Sequence, residues 1–331
     1  MFQIFKKVFL ASLFCAVSFS FFSCEKKTIN LKLAEIHLEG YPTSLGDKEF
    51  ARLVEKKTGG RIHIEVYTGG VLYQDETDSI KALKDGKVDF ARVSTAPLSA
   101  FVPEINLVNL PYLFRDREHM WKVLDSDIGS KLLATIEKSS PGLVGICYYD
   151  SDCRSFYSSK PIRSIEDMKG LKIRMMNSDL MKDIVNYLGG TGVSGIPSSE
   201  VYSAIQNGIV DGAENNWSTY ENMGDFLVAP YYTLDRHTWI PEVLLASSAT
   251  FAKLREKDVE IIKSCAKEVQ KYEIQKNIEK QKFAEEKVRK AGTTVIELSP
   301  QEIQKFKDAT APIYDKYASG YKDVIKAIKE M

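Results

Sequence analysis

Between Lys257 and Ala291 the chain contains neither proline nor glycine, is dense in Lys, Glu and Gln, and then meets Gly292. An unbroken series of helix formers closed by a glycine predicts one helix. At about 1.5 Å per residue it is on the order of 50 Å long, more than the width of a single small lobe. Ile262, Cys265, Val269 and Tyr272 form an apolar stripe by steps of three and four, and Ile274 and Ile278 begin a second stripe rotated from the first. The expectation is a helix that leaves one lobe and runs onto another. A solvated coiled-coil arm is the alternative, and no sustained heptad supports it.

Upstream the pattern alternates strand and helix. "LKLAEIHL" has period two, Phe50, Leu53 and Val54 mark a helix face stopped at Thr58–Gly60, and "RIHIEVY" supplies the next strand. A helix around Asp78–Lys84, the strand "VDFARV", one helix near Glu118–Ser139 and the strand "GLVGICYY" continue the rhythm. After Cys153 a second unit repeats it with "GLKIRMM", a helix at Asp179–Leu188, "GVSGIP", a helix from Ser199 to Asn207 and "VDGAEN". Strand and helix in turn imply a mostly parallel α/β sheet, here two of them with a cleft between. Ligands gather outside the carboxyl ends of such strands, where Arg174 and Asn215 stand. "TTVIEL" returns as a strand, and "YKDVIKAIKEM" closes the chain as a short amphipathic helix. With 331 residues, 44% of them hydrophobic, each lobe can bury a core of its own.

Lys6 and Lys7 followed by the uncharged apolar run Val8–Phe22 read as a secretory leader, too short for a comfortable membrane span. The ending "FFSC" resembles a lipobox, which would make Cys24 the lipidated mature N-terminus, although Phe21 and Phe22 make the match loose; an ordinary signal peptide cut nearby or an uncleaved anchor are the alternatives. Either way the body lies outside the cytoplasm. Removing residues 1–23 takes two lysines from 45 basic residues set against 45 acidic ones, so no basic footprint for nucleic acid remains. Cys147, Cys153 and Cys265 are an odd set without metal spacing; Cys147 and Cys153 can pair in an oxidising compartment, but Cys147 sits in an apolar strand and reads as a small core residue. His37, His63, His119 and His237 stand far apart, so no metal site can be written, no G-x-S-x-G elbow is present, and no nucleophile set supports an enzyme. Gly190, Gly192 and Gly195 match G-x-G-x-x-G by letter. They follow a helix and open a strand, the reverse of a dinucleotide fingerprint, and no cofactor is expected.

In "GLKIRMMNS", Leu171, Ile173 and Met175 face inward while Arg174 points to the other side. Without further information that charge is solvated or internally paired. "SIEDMKGLKIR" (Ser164–Arg174) and "SEVYSAIQNGIVDGAEN" (Ser199–Asn215), with "TGGVLYQDETDSIKALKDGKVDF" and "LPYLF" in the same order, resemble the extracytoplasmic solute receptors of tripartite ATP-independent periplasmic (TRAP) transporters. The resemblance covers nearly the whole chain after the tether. It implies an α/β, two-lobed periplasmic-binding-protein-like fold with a hinge, a ligand cleft between lobes and the long helix spanning both. The expected division is a leader at 1–23, a tether at 24–30, lobe I at 31–151 plus 241–280, and lobe II with the C-terminal helices at 152–240 plus 281–331. It further implies a receptor, not an enzyme, that closes on a small organic acid and delivers it to the membrane permease subunits. Arg174 would grip the carboxylate, and a planar guanidinium suits two oxygens. Arg154, Asn215 and Asn177 carry over as pocket residues, His37, Glu76 and Ser94 as first-lobe positions, and Trp217 as a stacking surface. Some lipoprotein relatives also work with a helical-repeat partner. Two departures stand out: Ser198 replaces an aromatic residue before "SEVY", and Asn216 with Trp217 replaces the proline of "ENP", so a bulkier or more apolar acid is accommodated. The runner-up reading is the same fold reused as a sensor or scaffold lipoprotein.

Overall fold

The computed structural model describes residues 28–331; the leader and Cys24 lie outside the described residues. The chain builds β1 (Ile29–Ala34), β2 (Ile62–Tyr67), β3 (Phe90–Ser94) and β4 (Leu143–Tyr149), then β5 (Cys153–Ser158), β6 (Lys172–Arg174), β7 (Thr191–Val193), β8 (Gly212–Asn215) and β9 (Tyr231–Trp239), and finally β10 (Glu242–Ser247) and β11 (Thr294–Ile296). One sheet has the order β2-β1-β3-β10-β4 and the other β11-β9-β5-β8-β6-β7. These are the two expected lobes. Gly190 ends the turn after the helix Asp179–Tyr187 and Gly192 lies in the middle of β7, so these glycines lead into a strand and do not open a helix as a phosphate loop does.

The sheets are mixed, not mostly parallel. β10 runs antiparallel to β3 and β4, and β5 runs antiparallel to β8 and β9. The chain crosses between lobes twice without a helix, from β4 into β5 and from β9 into β10. Glu242 pairs with Tyr149 on one side of the crossing and Cys153 with Trp239 on the other. The two crossings therefore form one antiparallel ribbon that enters both sheets. A strand-and-helix rhythm cannot announce it, because neither crossing contains a helix.

The stretch Glu118–Ser139 is also two helices, Arg117–Leu124 and Asp127–Ser139. Ser126 ends the first by donating to the Val123 carbonyl and caps the second by accepting from the Ile128 N–H. A Cβ at Gly129 would lie 2.0 Å from the Leu124 carbonyl oxygen, so only glycine permits this turn.

The long helix spans Glu256–Lys290. Ile262, Cys265, Ala266 and Val269 pack into the first-lobe core with Phe50, Val54 and Leu244, and Ala284 and Val288 pack into the second-lobe core with Tyr220 and Tyr232. Between them the buried face is polar. Ile278 is 39% exposed, and the buried positions are Glu273 and Asn277. Of the stripe expected at Ile274 and Ile278, Ile274 packs half-buried against the core while Ile278 faces out. The helix here faces crossing backbone whose N–H and C=O groups need partners: Glu273 Oε2 accepts the Asp150 N–H at 2.8 Å and Asn277 Nδ2 donates to the Asp150 carbonyl at 2.9 Å. Close packing of the helix Pro42–Lys57 requires Gly46, whose Cβ would meet Glu273 Cγ at 2.9 Å. The final helix, Lys322–Glu330, reaches the helix Arg117–Leu124, where His119 Nε2 meets the Ile328 carbonyl at 2.7 Å. Cys147, Cys153 and Cys265 are free thiols.

The crossing also carries a titratable group. Asp152 is buried, adopts φ 64°, and meets Arg117 Nη2 at 3.2 Å through Oδ1. Burial, opposed by Arg117, pushes its carboxyl up to about 7 from 3.8. A raised carboxyl contributes stability that is complete below the unfolded value and disappears as pH rises through the folded one. We expect the melting temperature to fall between about pH 4 and pH 8, and to fall less in Asp152→Asn, since asparagine tolerates positive φ and lacks the buried charge. Parallel pH profiles for the two proteins would remove Asp152 from this role.

Candidate functional site

The two sheets direct their strand ends at a cavity between the lobes. Its first-lobe wall includes Ile36, His37, Tyr41, Asp75, Glu76, Ser94 and Glu242, and its second-lobe wall includes Arg154, Arg174, Asn177, Ser198, Asn215 and Asn216. Of the expected site residues, seven line this cavity: Arg174, Arg154, Asn215, Asn177, His37, Glu76 and Ser94. Cys24 lies outside the described residues.

Arg174 ends β6, beside β8, whose last residue is Asn215. Its Nε and Nη2 both donate to the Ile196 carbonyl, at 2.9 and 2.7 Å. Among the described residues its Nη1 has no protein partner and no carboxylate lies within ion-pair range. Yet the residue is only 8% exposed. Burial holds the guanidinium below its usual value, assisted by Arg154 and opposed by Tyr157 and Glu214. A buried cation without a counter-charge is costly, and an entering anion removes that cost.

Arg154 is arranged differently. Glu214 takes its Nε and Nη2, the latter at 2.9 Å through Oε1, while Nη1 donates to Asn215 Oδ1 at 2.7 Å. Asn215 Oδ1 also accepts the Asn216 N–H at 2.9 Å, so this side-chain orientation is determined and its amide nitrogen remains to face the cavity. Asn177 spans the cleft. Its Nδ2 donates to Asp75 Oδ2 at 3.0 Å and its Oδ1 accepts the Gly195 N–H at 2.8 Å. Tyr41 meets Thr219 Oγ1 at 2.9 Å, a second bond from lobe to lobe. The lobes are closed on each other.

Trp217 does not reach the cavity. It stacks on Tyr232, with ring centroids 3.7 Å apart at 16°, inside the second-lobe core. Asn216, where a proline was expected, caps the helix Trp217–Asn222 by accepting the Thr219 N–H at 2.8 Å and turns the indole inward. Trp217→Ala should cost about 3–5 kcal/mol of stability while leaving the folded protein's affinity for its solute within about threefold by calorimetry. A selective loss of affinity with unchanged denaturant midpoint would return the indole to the ligand.

Behind the first-lobe wall His37 and Glu76, both expected at the site, join a cluster whose centre, Arg92, sequence reasoning missed together with Glu35 and Glu242. Arg92, in the middle of β3, is fully buried and pairs with Glu35, Glu76 and Glu242. Its Nε donates to Glu35 at 2.9 Å and its Nη2 reaches His37 Nδ1 at 2.8 Å. Burial, then Arg92, lowers the His37 pKa against the pull of Glu35, whose Oε1 lies 3.0 Å from the same Nδ1. Burial raises Glu76 and Glu242 against the pull of Arg92, with Glu242 raising Glu76 further and Glu35 raising Glu242 further. Glu35 is held well below the usual carboxylate range, since Arg92 and His37 outweigh its burial. The signal was present as a charge inside "VDFARV", the same signature that drew attention to Arg174.

The family of bacterial extracellular solute-binding proteins, family 7, matches residues 33–320. The chain belongs to this TRAP solute-binding family. A TRAP periplasmic solute-binding protein from Pseudomonas putida, solved with bound D-glucuronate, superposes with a TM-score of 0.88 at 37% identity, covering 92% of this chain and 97% of that one. A second, from Xanthobacter autotrophicus with bound β-D-galacturonate, has a TM-score of 0.87 at 35% identity, with 91% and 99% covered. The C4-dicarboxylate-binding protein DctB of Bacillus subtilis is 28% identical over 92% of this chain and 86% of its own length. As a TRAP solute-binding protein the chain is a receptor for an organic acid that serves a membrane permease.

Proposed function

We propose that this TRAP receptor binds a hexuronate, a sugar acid with one carboxylate, between its lobes, with Arg174 as the residue that grips the carboxylate. The observation that carries the reading is the buried guanidinium of Arg174, held at one edge by the Ile196 carbonyl and without a carboxylate in ion-pair range among the described residues. Asn215, through its uncommitted amide nitrogen, adds a donor to the same oxygen set. Arg154, neutralised by Glu214, orients Asn215 and contributes a lesser share of the attraction. Ser198 at the wall leaves room for a ring where an aromatic side chain would narrow the space. The uronates bound by the Pseudomonas and Xanthobacter relatives support this class over a C4-dicarboxylate.

Ligand entry and lobe closure are then one event, because the acid supplies the counter-charge and the bonds Asn177–Asp75 and Tyr41–Thr219 form only when the lobes meet. The receptor is tethered to the membrane by lipid on Cys24, and a helical-repeat lipoprotein is its further partner. The test is calorimetric titration with D-glucuronate, D-galacturonate and the neutral sugar D-galactose. Saturable binding of a uronate without binding of galactose is expected. Binding of none, or equal binding of galactose, would overturn the hexuronate reading.

A further inference from the structure

Resting on the hexuronate reading, we propose that the Glu76–Glu242 wall of the first lobe is a specificity filter that receives the hydroxyl-bearing end of the ligand and rejects any acid carrying a second carboxylate there. The cavity is polarised. The basic residues lining it, Arg154 and Arg174, both belong to the second lobe, whereas Asp75, Glu76 and Glu242 line the first.

The first lobe does contain a cation, Arg92, but none of it is offered to a ligand. Nε and Nη2 serve Glu35, Nη2 also reaches His37, and Nη1 serves both Glu76 and Glu242. These bonds account for the guanidinium's five N–H donors. Three carboxylates share this single guanidinium, so with Glu76 and Glu242 ionised the wall carries excess negative charge. Arg92 is a positioning residue that holds the two cavity-lining glutamates in place.

Acceptor capacity on the wall is also unfilled. Glu76 Oε1 takes the Ser94 N–H at 3.0 Å and Ser94 Oγ at 3.1 Å, while its Oε2 has no hydrogen-bond partner among the described residues. Glu242 Oε1 is approached at 3.2 Å by Ser94 Oγ, whose single proton is shared with two other carboxylate oxygens. Unfilled carboxylate acceptors match sugar hydroxyl donors through charge-assisted hydrogen bonds. A second carboxylate offers no proton and meets like charge in a buried setting, which is how sites built for a hydroxyl discriminate strongly.

The experiment compares D-glucuronate with D-glucarate, which carries a carboxylate at both ends, by calorimetry on wild type, Glu76→Gln and Glu242→Gln. Glucarate is expected to bind wild type at least about a hundredfold more weakly than glucuronate, and that ratio to shrink by about tenfold or more in at least one variant. Because glucarate also differs in shape, the change in ratio between proteins isolates the charge. A ratio unchanged in both variants, each shown by its melting transition to be folded, overturns the filter while leaving the hexuronate reading intact. Absence of binding of both D-glucuronate and D-galacturonate to wild type overturns both; where galacturonate alone binds, the same comparison is made between galacturonate and galactarate.

Discussion

Arg174→Ala is expected to weaken uronate binding by about 2–5 kcal/mol, the range for removing one partner of a buried charge pair at an interface. That is about thirtyfold to several thousandfold in affinity. The same variant should lose no stability in the unliganded state. Arg174 is bonded to one backbone carbonyl and has no ion pair among the described residues, so its removal relieves an uncompensated buried charge. The two effects together are diagnostic: a structural arginine would show the opposite combination. Titration calorimetry and a ligand-free denaturant melt on the same preparation measure both. An unchanged affinity, or a fall in stability of the unliganded protein that matches the loss of binding, would remove Arg174 from the role of carboxylate grip.

Arg92→Met should destabilise the protein by about 3–5 kcal/mol near neutral pH, the cost of stripping the partner from a buried charge. It leaves Glu35, Glu76 and Glu242 buried without their shared cation. The pH dependence has a defined sign. In the wild type Glu35 is depressed by Arg92 and His37, so its contribution is present above the unfolded carboxyl range and is lost as pH falls through the folded value. In the variant the remaining acids, already raised by burial at Glu76 and Glu242, rise further, and protonating them restores stability. The gap between wild type and variant should therefore be widest above about pH 7 and narrow toward about pH 5. Urea melts at the two pH values measure it. A pH-independent gap would mean that lost packing, and not lost charge, explains the damage.

Much of the architecture was legible because it depends on short spacings. An uninterrupted series of helix formers from Lys257 specified the long helix, and period-two stretches such as "RIHIEVY" specified strands. The cavity positions of Arg174 and Asn215 followed from their place at strand ends. What the pattern concealed was the antiparallel ribbon of the two crossings, whose pairing of Glu242 with Tyr149 joins residues far apart in the chain. The break at Ser126 was likewise hidden, because Asp-Ser-Asp within a periodic stretch signals a cap only once the turn is known to close there.

Charge placement shows the division most sharply. Arg92, Arg154 and Arg174 each stand in a strand, and nothing within a few residues of any of them distinguishes a ligand contact from an internal pair. Arg92 is neutralised by Glu35, 57 positions away, and by Glu242, 150 positions away, while Arg154 is neutralised by Glu214, 60 positions away. Arg174 meets only a carbonyl. The sequence by itself determined two lobes, a helix long enough to join them and which side chains stand near the cleft, since backbone preference and hydrophobic period act over a few residues. Only the tertiary structure decided which of three guanidinium groups is left without a carboxylate, because electrostatic neutralisation depends on distance through space and not on separation along the chain.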